Sequence, residues 1–342
     1  MNLQHNVSLK DYNTFGISAK AESFVSVTTE DELKEALSST IDSTPFILGG
    51  GSNMLLKTDL SGLIIHIALK GIEVFDENAD YIWLKVAAGE NWHEFVMHCV
   101  NLGYGGVENL ALIPGNVGTS PVQNIGAYGI ELKDTFFSCT AIHRETLAKK
   151  TFSLSACKFG YRDSIFKNEA KDAYIITSVT FKLSKTNHKL HTEYGAIQDI
   201  LKEQAITNPG IKDIAEAVIA IRSSKLPDPA VLGNSGSFFK NPVISKTEFL
   251  KLQQTHPEIP FYTVNDEFIK VPAGWLIEQA GFKGKRFGDA GVHCKQALVL
   301  VNYDNATGAE IWDLAIRIQQ EVQQLFNITI QPEVNIIEDR TI

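Results

Sequence analysis

A glycine-rich segment at residues 113–129, IPGNVGTSPVQNIGAYG, constrains the fold of this chain more than any other feature. Its small and hydroxyl-bearing residues let the backbone pass close to a long anionic ligand and offer N–H groups to it without adding positive charge. A second segment of this kind, LGGGSNMLL at 48–56, places three successive glycines after an apolar run. Taken alone, a glycine-rich turn more often serves only as a turn. Two such segments in one chain favour a ligand-binding role.

Neither segment matches the two commonest nucleotide-binding patterns. The sequence G-x-G-x-x-G occurs nowhere in the 342 residues, and neither does a phosphate loop that ends in G-K-[ST]. These patterns place a helix N-terminus or a lysine against phosphates. A Rossmann dehydrogenase and a P-loop NTPase are therefore disfavoured.

Charge and composition exclude several further classes of protein. A net charge of −9 disfavours a broad surface for nucleic acid or for an anionic membrane. The N-terminus has no apolar signal core, and apolar runs such as 63–69 are too short to cross a bilayer. We therefore expect a cytoplasmic protein with neither nucleic-acid nor membrane partners.

Metal and disulfide sites are not expected either. Four cysteines are scattered without C-x-x-C spacing, which indicates neither a zinc site nor a disulfide framework. His93 and His98 lie five residues apart, whereas a metal pair on a helix prefers four, so both are interpreted as structural or exposed. No metal is predicted.

The pattern of apolar residues predicts an α+β protein. Short β-rich runs at 22–29, 45–50, 63–69 and 81–89 are interrupted by helices at 29–37, capped by Thr29, and at 91–103, which ends on a glycine. After about residue 205 helices dominate, at 211–227, at 245–257 with a capping box, and at 308–326. The last of these has one apolar face, which consists of Ile311, Leu314, Ala315, Ile318, Val322 and Leu325. A domain boundary is predicted near 205–225.

Eight motifs in this order and spacing resemble the UDP-N-acetylenolpyruvoylglucosamine reductases, flavoproteins of bacterial peptidoglycan synthesis. The resemblance runs from about residue 11 to about residue 338, and motifs such as GYRDSIFK and GSFFKNP are too long for a chance match in this order. The motifs are GGGSN (49–53), PGNVGTSPVQNIGAYG (114–129), GYRDSIFK (160–167), KLPDP (225–229), GSFFKNP (236–242), AGWLIEQAG (273–281), QALVLVN (296–302) and PEV (332–334).

The resemblance implies an α+β fold with an FAD-binding part of the vanillyl-alcohol-oxidase (PCMH) type and a C-terminal α+β substrate-binding domain. On this scheme residues 1–70, joined by a C-terminal strand at 328–342, form one FAD-binding subdomain, 71–218 form the second, and 219–327 bind substrate. It also implies FAD contacts at Gly49, Gly50, Gly51, Ser52, Asn53, Pro114, Gly115, Gly118, Thr119, Ser120, Gln123, Asn124, Gly126, Ala127, Tyr128 and Gly129.

Three catalytic residues follow from the same resemblance. Ser237 matches the family's proton donor, Arg162 would hold the substrate carboxylate, and Glu333 would act as a second acid or orienting group. Outside the motifs, each residue has an ordinary alternative: a turn serine, an arginine paired with Asp163, and a solvated glutamate. Phe238 and Phe239 are expected to anchor the serine.

Four more residues match substrate-binding positions. Lys225, Asn241 and Gln296 correspond to positions that bind the nucleotide-sugar diphosphate, and Tyr194 resembles the tyrosine on the mobile lid of the family's first type. Outside the motif, a loop lysine such as Lys225 would ordinarily be solvent-exposed and inert. The motif around Tyr194, TEYGAI at 192–197, is short.

The implied activity is an NADPH-dependent oxidoreductase that uses FAD to reduce UDP-N-acetylglucosamine enolpyruvate to UDP-N-acetylmuramate, a cytoplasmic step of cell-wall synthesis that bears on cell shape and division. Two rival functions stay open at this point. A flavin oxidase of the same fold would not require the set Arg162, Ser237 and Glu333. A flavin-binding protein without catalysis would not need to retain the acid–base and substrate positions.

Overall fold

The computed structural model describes residues 1–39 and 44–339. Its strands are β1 (Gln4–Ser8), β2 (Lys20–Val27), β3 (Phe46–Leu48), β4 (Met54–Leu56), β5 (Leu60–Ile67), β6 (Ile72–Glu77), β7 (Tyr81–Ala87), β8 (Gly126–Ala127), β9 (Ile130–Glu131), β10 (Phe136–His143), β11 (Lys149–Ser153), β12 (Tyr174–Ser184), β13 (Gly233–Asn234), β14 (Val243–Ser245), β15 (Tyr262–Thr263), β16 (Phe268–Lys270), β17 (Arg286–Phe287), β18 (Ala290–Val292), β19 (Leu300–Asn302) and β20 (Asn335–Ile337).

The helices confirm every predicted helix to within about two residues. They are α1 (Glu30–Ser38), α2 (Trp92–Asn101), α3 (Leu154–Cys157), α4 (Gly195–Glu203), α5 (Ile211–Lys225), α6 (Lys246–Thr255), α7 (Ala273–Gln279) and α8 (Gly308–Phe326). Short 3₁₀ turns lie at Lys10–Tyr12, Glu108–Leu110, Val117–Thr119, Leu132–Asp134 and Ile165–Lys167.

The chain forms two compact units that do not follow sequence order. The larger unit comprises the described residues of 1–7, 22–50 and 62–224, and the smaller unit comprises those of 8–21, 51–61 and 225–342. The predicted division into three parts, at residues 70, 218 and 327, stays a prediction.

The larger unit is built on a five-stranded antiparallel sheet in the order β11-β10-β12-β7-β6. Every second residue of β7 is buried, as the two-residue period of a half-buried strand requires. Helix α2 begins at Asn91, whose side chain accepts from the Glu94 N–H, and packs Trp92 and Phe95 against Phe181 with ring centroids 5.8 and 4.7 Å away. The core of this unit therefore lies between this sheet and its helices.

A second sheet of the larger unit, in the order β1-β2-β5-β3, packs on α1. Thr29 caps this helix as predicted, because its side chain accepts from the Glu32 N–H at 3.1 Å. Leu33 and Leu37 of α1 are buried in the same cluster as Ile65. This layer carries Gly49 and Gly50 at the end of β3.

The smaller unit combines α6, α7 and α8 with the sheets β13-β19-β18-β17 and β14-β16-β15 and the parallel pair β20-β4. The capping box predicted for α6 is present between Ser245 and Glu248, and α8 has another between Thr307 and Glu310. The predicted apolar face of α8 is buried except at its end. Leu325 is 48% exposed, which was predicted wrongly.

The residue that continues the buried face of α8 is Phe326, four positions after Val322 rather than three. An α-helix has about 3.6 residues per turn, so a spacing of three or of four residues can continue a buried face. The larger ring takes the buried place. Within the described ranges, no helix is both long and apolar enough to cross a bilayer, and no group of three His, Cys, Asp or Glu side chains is arranged to hold a metal ion.

Candidate active site

The two glycine-rich segments meet in the larger unit through Gly49 and Gly50. A Cβ atom on Gly50 would lie 2.8 Å from Asn116 Oδ1 and 3.0 Å from Gly115 Cα, and one on Gly49 would lie 2.7 Å from Thr119 Cγ2. Only glycine allows two backbones to approach so closely. The result is a strip of small residues and backbone of the kind that suits a pyrophosphate, so these residues fit FAD.

The second segment is fixed to the end of β7. The N–H of Gly118 donates to the Ala88 carbonyl at 2.9 Å, and the N–H of Val117 donates to the Glu90 carbonyl at 2.8 Å. A Cβ atom on Gly118 would lie 2.4 Å from the Cβ of Ala88. The segment is thus attached to the central sheet of the larger unit by its backbone.

Gly51, Ser52 and Asn53 of the first segment belong to the smaller unit. Gly51 has a φ of +60°, and a Cβ atom there would lie 2.0 Å from the Tyr12 carbonyl oxygen. The backbone and side-chain N–H groups of Asn335 donate to the Asn53 carbonyl at 3.1 and 2.8 Å. These residues therefore connect β4 to the C-terminal β20 by backbone contacts.

The side chains of Ser120 and Asn124, both predicted to contact the cofactor, have structural partners. The buried Ser120 hydroxyl donates to the Val117 carbonyl at 2.7 Å. The buried Asn124 amide donates to Glu131 Oε2 at 3.1 Å and to the Gly160 carbonyl at 2.9 Å. Their side chains shape the segment, and Asn124 also attaches it to the loop that carries Arg162.

Arg162 lies beside the glycine-rich segment in the larger unit. Its Nη2 donates to the Gly126 carbonyl at 2.6 Å, and its own carbonyl accepts from Lys167 Nζ at 3.1 Å. Gly160 and Asp163 pair in a one-residue bridge around it, and Arg162 itself has a φ of +55°. This left-handed conformation is uncommon for a residue other than glycine, and such strain concentrates at functional sites.

Sequence reasoning missed Arg222, a second guanidinium in this part of the larger unit. Its Nε donates to the Leu112 carbonyl at 3.2 Å, and its side chain lies close enough to the hydroxyl of Tyr128 for the two groups to shift each other's pKa. The N–H of Leu112 donates to Nδ1 of His93 at 3.0 Å. Leu112, with a φ of +58°, is therefore held on both sides just before the glycine-rich segment.

Burial is the largest influence on the pKa values of Arg222 and Tyr128. It lowers the pKa of the Arg222 guanidinium, and the positive charge of Arg162 lowers it further, while Tyr128 opposes both. Burial also raises the pKa of the Tyr128 hydroxyl, although the charge of Arg222 opposes this. Two guanidiniums close enough to affect each other favour an anionic ligand in this part of the unit.

A signal for Arg222 was present in the sequence. It follows Ile221 directly on α5, whose buried face includes Ile214, Val218 and Ile221. A charged residue beside an apolar stripe has its stem buried. Its position one turn before Lys225 of the KLPDP motif would have drawn attention to it.

Ser237 lies in the smaller unit on a turn that buried neighbours fix. Phe238 and Phe239 are fully buried, as predicted, with ring centroids 5.1 Å apart. Gly236 adopts a φ of +69°, and its N–H donates to Asn234 Oδ1 at 2.9 Å. Ser237 itself is exposed, and its hydroxyl has no hydrogen-bond partner among the described residues. The turn therefore presents a free hydroxyl on a rigid backbone.

The structure brings Glu333 to the same turn. The N–H of Glu333 donates to the Phe238 carbonyl at 2.8 Å, and Phe239 pairs with Pro332 in a one-residue bridge. The residues after Ser237 thus run antiparallel to the PEV motif. Two of the three predicted catalytic residues are neighbours in the smaller unit, whereas Arg162 lies in the larger one.

Two predicted substrate-binding residues also come together in the smaller unit. Asn241 Oδ1 accepts from the first N–H of α7, that of Ala273, at 2.9 Å. A Cβ atom on Gly274 would lie 3.2 Å from Gln296 Oε1. Both amides therefore lie at the start of α7.

The other two predicted substrate residues lie at the surface of their own units. Lys225 is exposed and is the last residue of α5. Tyr194 belongs to the larger unit, is 53% exposed and contacts the ring of Tyr128 edge to face, with centroids 5.1 Å apart. Tyr194 thus lies next to the segment predicted to bind FAD.

Comparison with known proteins gives consistent results. The sequence model of an FAD-binding domain matches residues 21–145, and that of the UDP-N-acetylenolpyruvoylglucosamine reductase C-terminal domain matches residues 228–337. A curated UDP-N-acetylenolpyruvoylglucosamine reductase of Flavobacterium johnsoniae is 58% identical over 98% of this chain and 100% of its own length. One from Pseudomonas syringae pv. syringae is 47% identical over 98% of this chain and 99% of its own.

Among solved structures, UDP-N-acetylenolpyruvylglucosamine reductase (MurB) from Thermus caldophilus superposes with a TM-score of 0.70 at 24% identity. The match covers 99% of this chain and 100% of that one. It supports the fold, and together with the domain match it confirms the predicted α+β class and the FAD-binding part.

Proposed function

This chain belongs to the UDP-N-acetylenolpyruvoylglucosamine reductase family, FAD-binding oxidoreductases of peptidoglycan synthesis, and from that premise we propose how its own residues carry out the reaction. NADPH is the proposed reductant, UDP-N-acetylglucosamine enolpyruvate the substrate and UDP-N-acetylmuramate the product. The observation that supports this most strongly is the rigid turn that presents the Ser237 hydroxyl beside the Glu333 segment.

Gly49, Gly50, Gly115 and Gly118 would hold FAD with the rest of the two glycine-rich segments. Bound FAD would supply the two-electron chemistry that links oxidation of NADPH to reduction of the enolpyruvyl double bond. The close backbone approach of these glycines leaves no room for side chains between the loops. Their amides and the nearby guanidiniums of Arg162 and Arg222 would balance the negative charge without an overall basic surface.

Ser237 would complete the reduction with a proton. When a hydride equivalent forms a C–H bond at the terminal carbon, the π electrons move to the carbon next to the carboxylate. The O–H bond of Ser237 then breaks as that carbon gains its proton, and solvent returns a proton to the serine. A hydroxyl is a weak acid, so its position has to be fixed, and the buried Phe238 and Phe239 fix it.

Arg162 and Glu333 would assist at the same carbon. The planar guanidinium of Arg162 can hold the substrate carboxylate with two parallel hydrogen bonds and stabilise the enolate that develops beside it. Its bond to the Gly126 carbonyl fixes one edge of the guanidinium. Glu333, next to the Ser237 turn, would orient the hydroxyl or serve as a second acid.

The nucleotide-sugar diphosphate would contact Lys225, Asn241 and Gln296, and Tyr194 would cover it. Lys225 supplies positive charge at an exposed position. Asn241 and Gln296 lie together at the start of α7 and could each donate from the amide nitrogen while the oxygen keeps its structural role.

A single experiment tests the proposal. The purified yellow protein is mixed with NADPH without oxygen, and its flavin absorbance is followed before and after the enolpyruvyl nucleotide is added. We expect bleaching by NADPH and recovery on addition of the nucleotide. If the flavin absorbance recovers only when oxygen is admitted, the protein is an oxidase. If it recovers with neither the nucleotide nor oxygen, only the flavin-binding function remains.

A further inference from the structure

The side chain of Asn109 connects two segments of the larger unit. Asn109 lies in the 3₁₀ turn Glu108–Leu110 and is only 1% exposed. Its Nδ2 donates to the Tyr128 carbonyl at 3.1 Å and to the His191 carbonyl at 2.9 Å. Both acceptors are carbonyls, so the orientation of the amide is fixed. Its Oδ1 is buried and has no hydrogen-bond partner in the described part of the chain.

Both carbonyls belong to backbone that supports one aromatic contact. Tyr128 is part of the glycine-rich segment and has a φ of +50°, and His191 lies three residues before Tyr194. The rings of Tyr128 and Tyr194 meet at 5.1 Å between centroids and 80° between planes. One buried amide therefore holds the backbone on both sides of this pair of rings.

We propose that Asn109 is a positioning residue for the substrate: its amide holds residues 188–194, the tyrosine segment, so that Tyr194 stays against Tyr128. This inference rests on the proposed function, because that function gives Tyr194 its substrate role. Asn109 acts through Tyr194 and contacts no substrate itself.

Besides the bonds from Asn109, Leu190 packs against the core of the larger unit within the tyrosine segment. At its start, Nδ1 of His188 and the Ser184 hydroxyl are 2.7 Å apart. At its end, Tyr194 is the N-cap residue of α4 but makes no side-chain capping bond. The two bonds from Asn109 come from a side chain that is itself only 1% exposed, and a hydrogen bond is stronger where water competes less for its partners.

A double-mutant cycle tests whether Asn109 acts through Tyr194. The variants are Asn109→Ala, Tyr194→Ala and the double variant, each measured for KM and kcat with the enolpyruvyl nucleotide. We expect Asn109→Ala to raise KM about tenfold, the size expected for two lost hydrogen bonds, with kcat changed less than about twofold. In the Tyr194→Ala background the same change should raise KM hardly at all. Equal effects in both backgrounds would overturn the proposal.

Trypsin cleavage supplies a readout that needs no substrate. Lys189 is exposed within the tyrosine segment, so its rate of cleavage in the full chain reports how firmly the segment is held. Asn109→Ala should accelerate this cleavage several-fold. If cleavage accelerates but Tyr194→Ala leaves KM unchanged, the positioning role stands and the substrate role of Tyr194 fails. If cleavage does not change, Asn109 does not hold the segment.

Ser184→Ala is the matched control, since it loosens the start of the same segment without contacting Tyr128. It should raise KM much less than Asn109→Ala, and an equal rise would show that any loosening suffices. Asn109→Ser, which keeps one donor, should give an intermediate KM. Loss of the fold in both Asn109 variants would show that the residue serves the fold rather than the segment, and would also overturn the proposal.

Discussion

The two regions that carry the candidate catalytic residues hold them in opposite ways. In the smaller unit, the Ser237 hydroxyl has no hydrogen-bond partner among the described residues, and buried neighbours and backbone bonds fix the turn around it. In the larger unit, the guanidiniums of Arg162 and Arg222 bond to backbone carbonyls of Gly126 and Leu112. The Ser237 side chain therefore makes no hydrogen bond that stabilises the fold, whereas those of Arg162 and Arg222 each bond to the backbone.

This difference separates chemistry from stability. Removing a side chain that supports nothing should change the reaction and leave the fold intact. Removing one that holds a backbone carbonyl should change both, because a buried acceptor then loses its donor. Substitutions in the two regions can therefore be compared by turnover and by free energy of unfolding together.

Ser237→Ala should have the largest effect on turnover. Loss of a positioned proton donor costs about 10² to 10⁴ in rate. The free energy of unfolding should stay within roughly 0.5 kcal/mol of the parent value, because the hydroxyl is exposed. Turnover with the enolpyruvyl nucleotide and urea unfolding measure these two quantities, and stopped-flow reduction by NADPH checks that the flavin is still reduced normally. Turnover close to that of the parent would remove Ser237 from the mechanism.

Ser235→Ala is the matched control two residues earlier. Its hydroxyl is buried and donates to the Met54 carbonyl at 3.1 Å. We expect it to lower the free energy of unfolding by about 1 kcal/mol while turnover changes little. The two serines should thus show opposite patterns. A large loss of turnover in both variants would show that the whole turn, rather than one hydroxyl, matters.

Arg162→Lys should have the next largest effect and should show both kinds of loss. The charge remains, but the planar pair of donors is lost, and with it a charge-assisted hydrogen bond of about 1.5–3 kcal/mol. We expect kcat/KM for the enolpyruvyl nucleotide to fall roughly 10- to 100-fold. The free energy of unfolding should also fall, because the Gly126 carbonyl loses its donor.

The control for this variant is Arg144→Lys, since Arg144 also donates to a backbone carbonyl, that of Pro45, at 2.7 Å. It has no proposed role in the reaction. It should lower stability by a similar amount and leave kcat/KM near the parent value. An equal fall of kcat/KM in both variants would mean that Arg162 acts only through the fold.

Gly118→Ala tests the backbone contact on which FAD binding is proposed to depend. A new Cβ atom would lie 2.4 Å from the Cβ of Ala88, and forced contacts of this kind cost about 1–3 kcal/mol. We expect a lower midpoint of thermal unfolding and partial loss of flavin on gel filtration. Gly103→Ala, in the same unit but outside the glycine-rich segments, is the control: with a φ of +77° it is strained, but its Cβ atom would meet nothing within 4 Å. It should lose stability and keep its flavin.

The sequence predicted what depends on local patterns. The caps at Thr29 and Ser245, the apolar period of α8 and the burial of Phe238 and Phe239 all follow from residues close together in the chain. The motifs also supplied the residues of the candidate site, whose roles stay predictions. Nearness of Ser237 to Glu333 could not follow from periodicity, because 96 residues separate them.

Residues that act through distant backbone were missed. Asn109 and Arg222 each bond a carbonyl that lies far away in sequence, and neither has a motif of its own for that role. Such contacts depend on how loops cross, which no local pattern encodes. The exposed end of α8 was predicted wrongly for a related reason. A residue three positions after Val322 or one four positions after it can continue the buried face, and packing selects Phe326 over Leu325.

The smallest expected effect concerns the two contacts that hold Leu112. Arg222 Nε donates to its carbonyl, and Nδ1 of His93 accepts a hydrogen bond from its N–H. Burial lowers the pKa of His93 below its ordinary 6.5, Glu94 opposes this, and the charge of Arg222 lowers the pKa further. Below pH 6.5 the unfolded chain therefore takes up a proton before the folded protein does. The contribution of His93 to stability is thus complete above this pH and is lost as the pH falls through the folded pKa.

His93→Gln removes this titration but keeps an oxygen that can accept from Leu112. We expect its free energy of unfolding, measured by urea between about pH 5 and 7.5, to fall less steeply with acid than that of the parent, by well under about 1.4 kcal/mol per pH unit. Other buried histidines, such as His66 and His293, cancel in the subtraction because both proteins contain them. Parallel curves for parent and His93→Gln would mean that protonation of His93 does not weaken the contact with the Leu112 N–H.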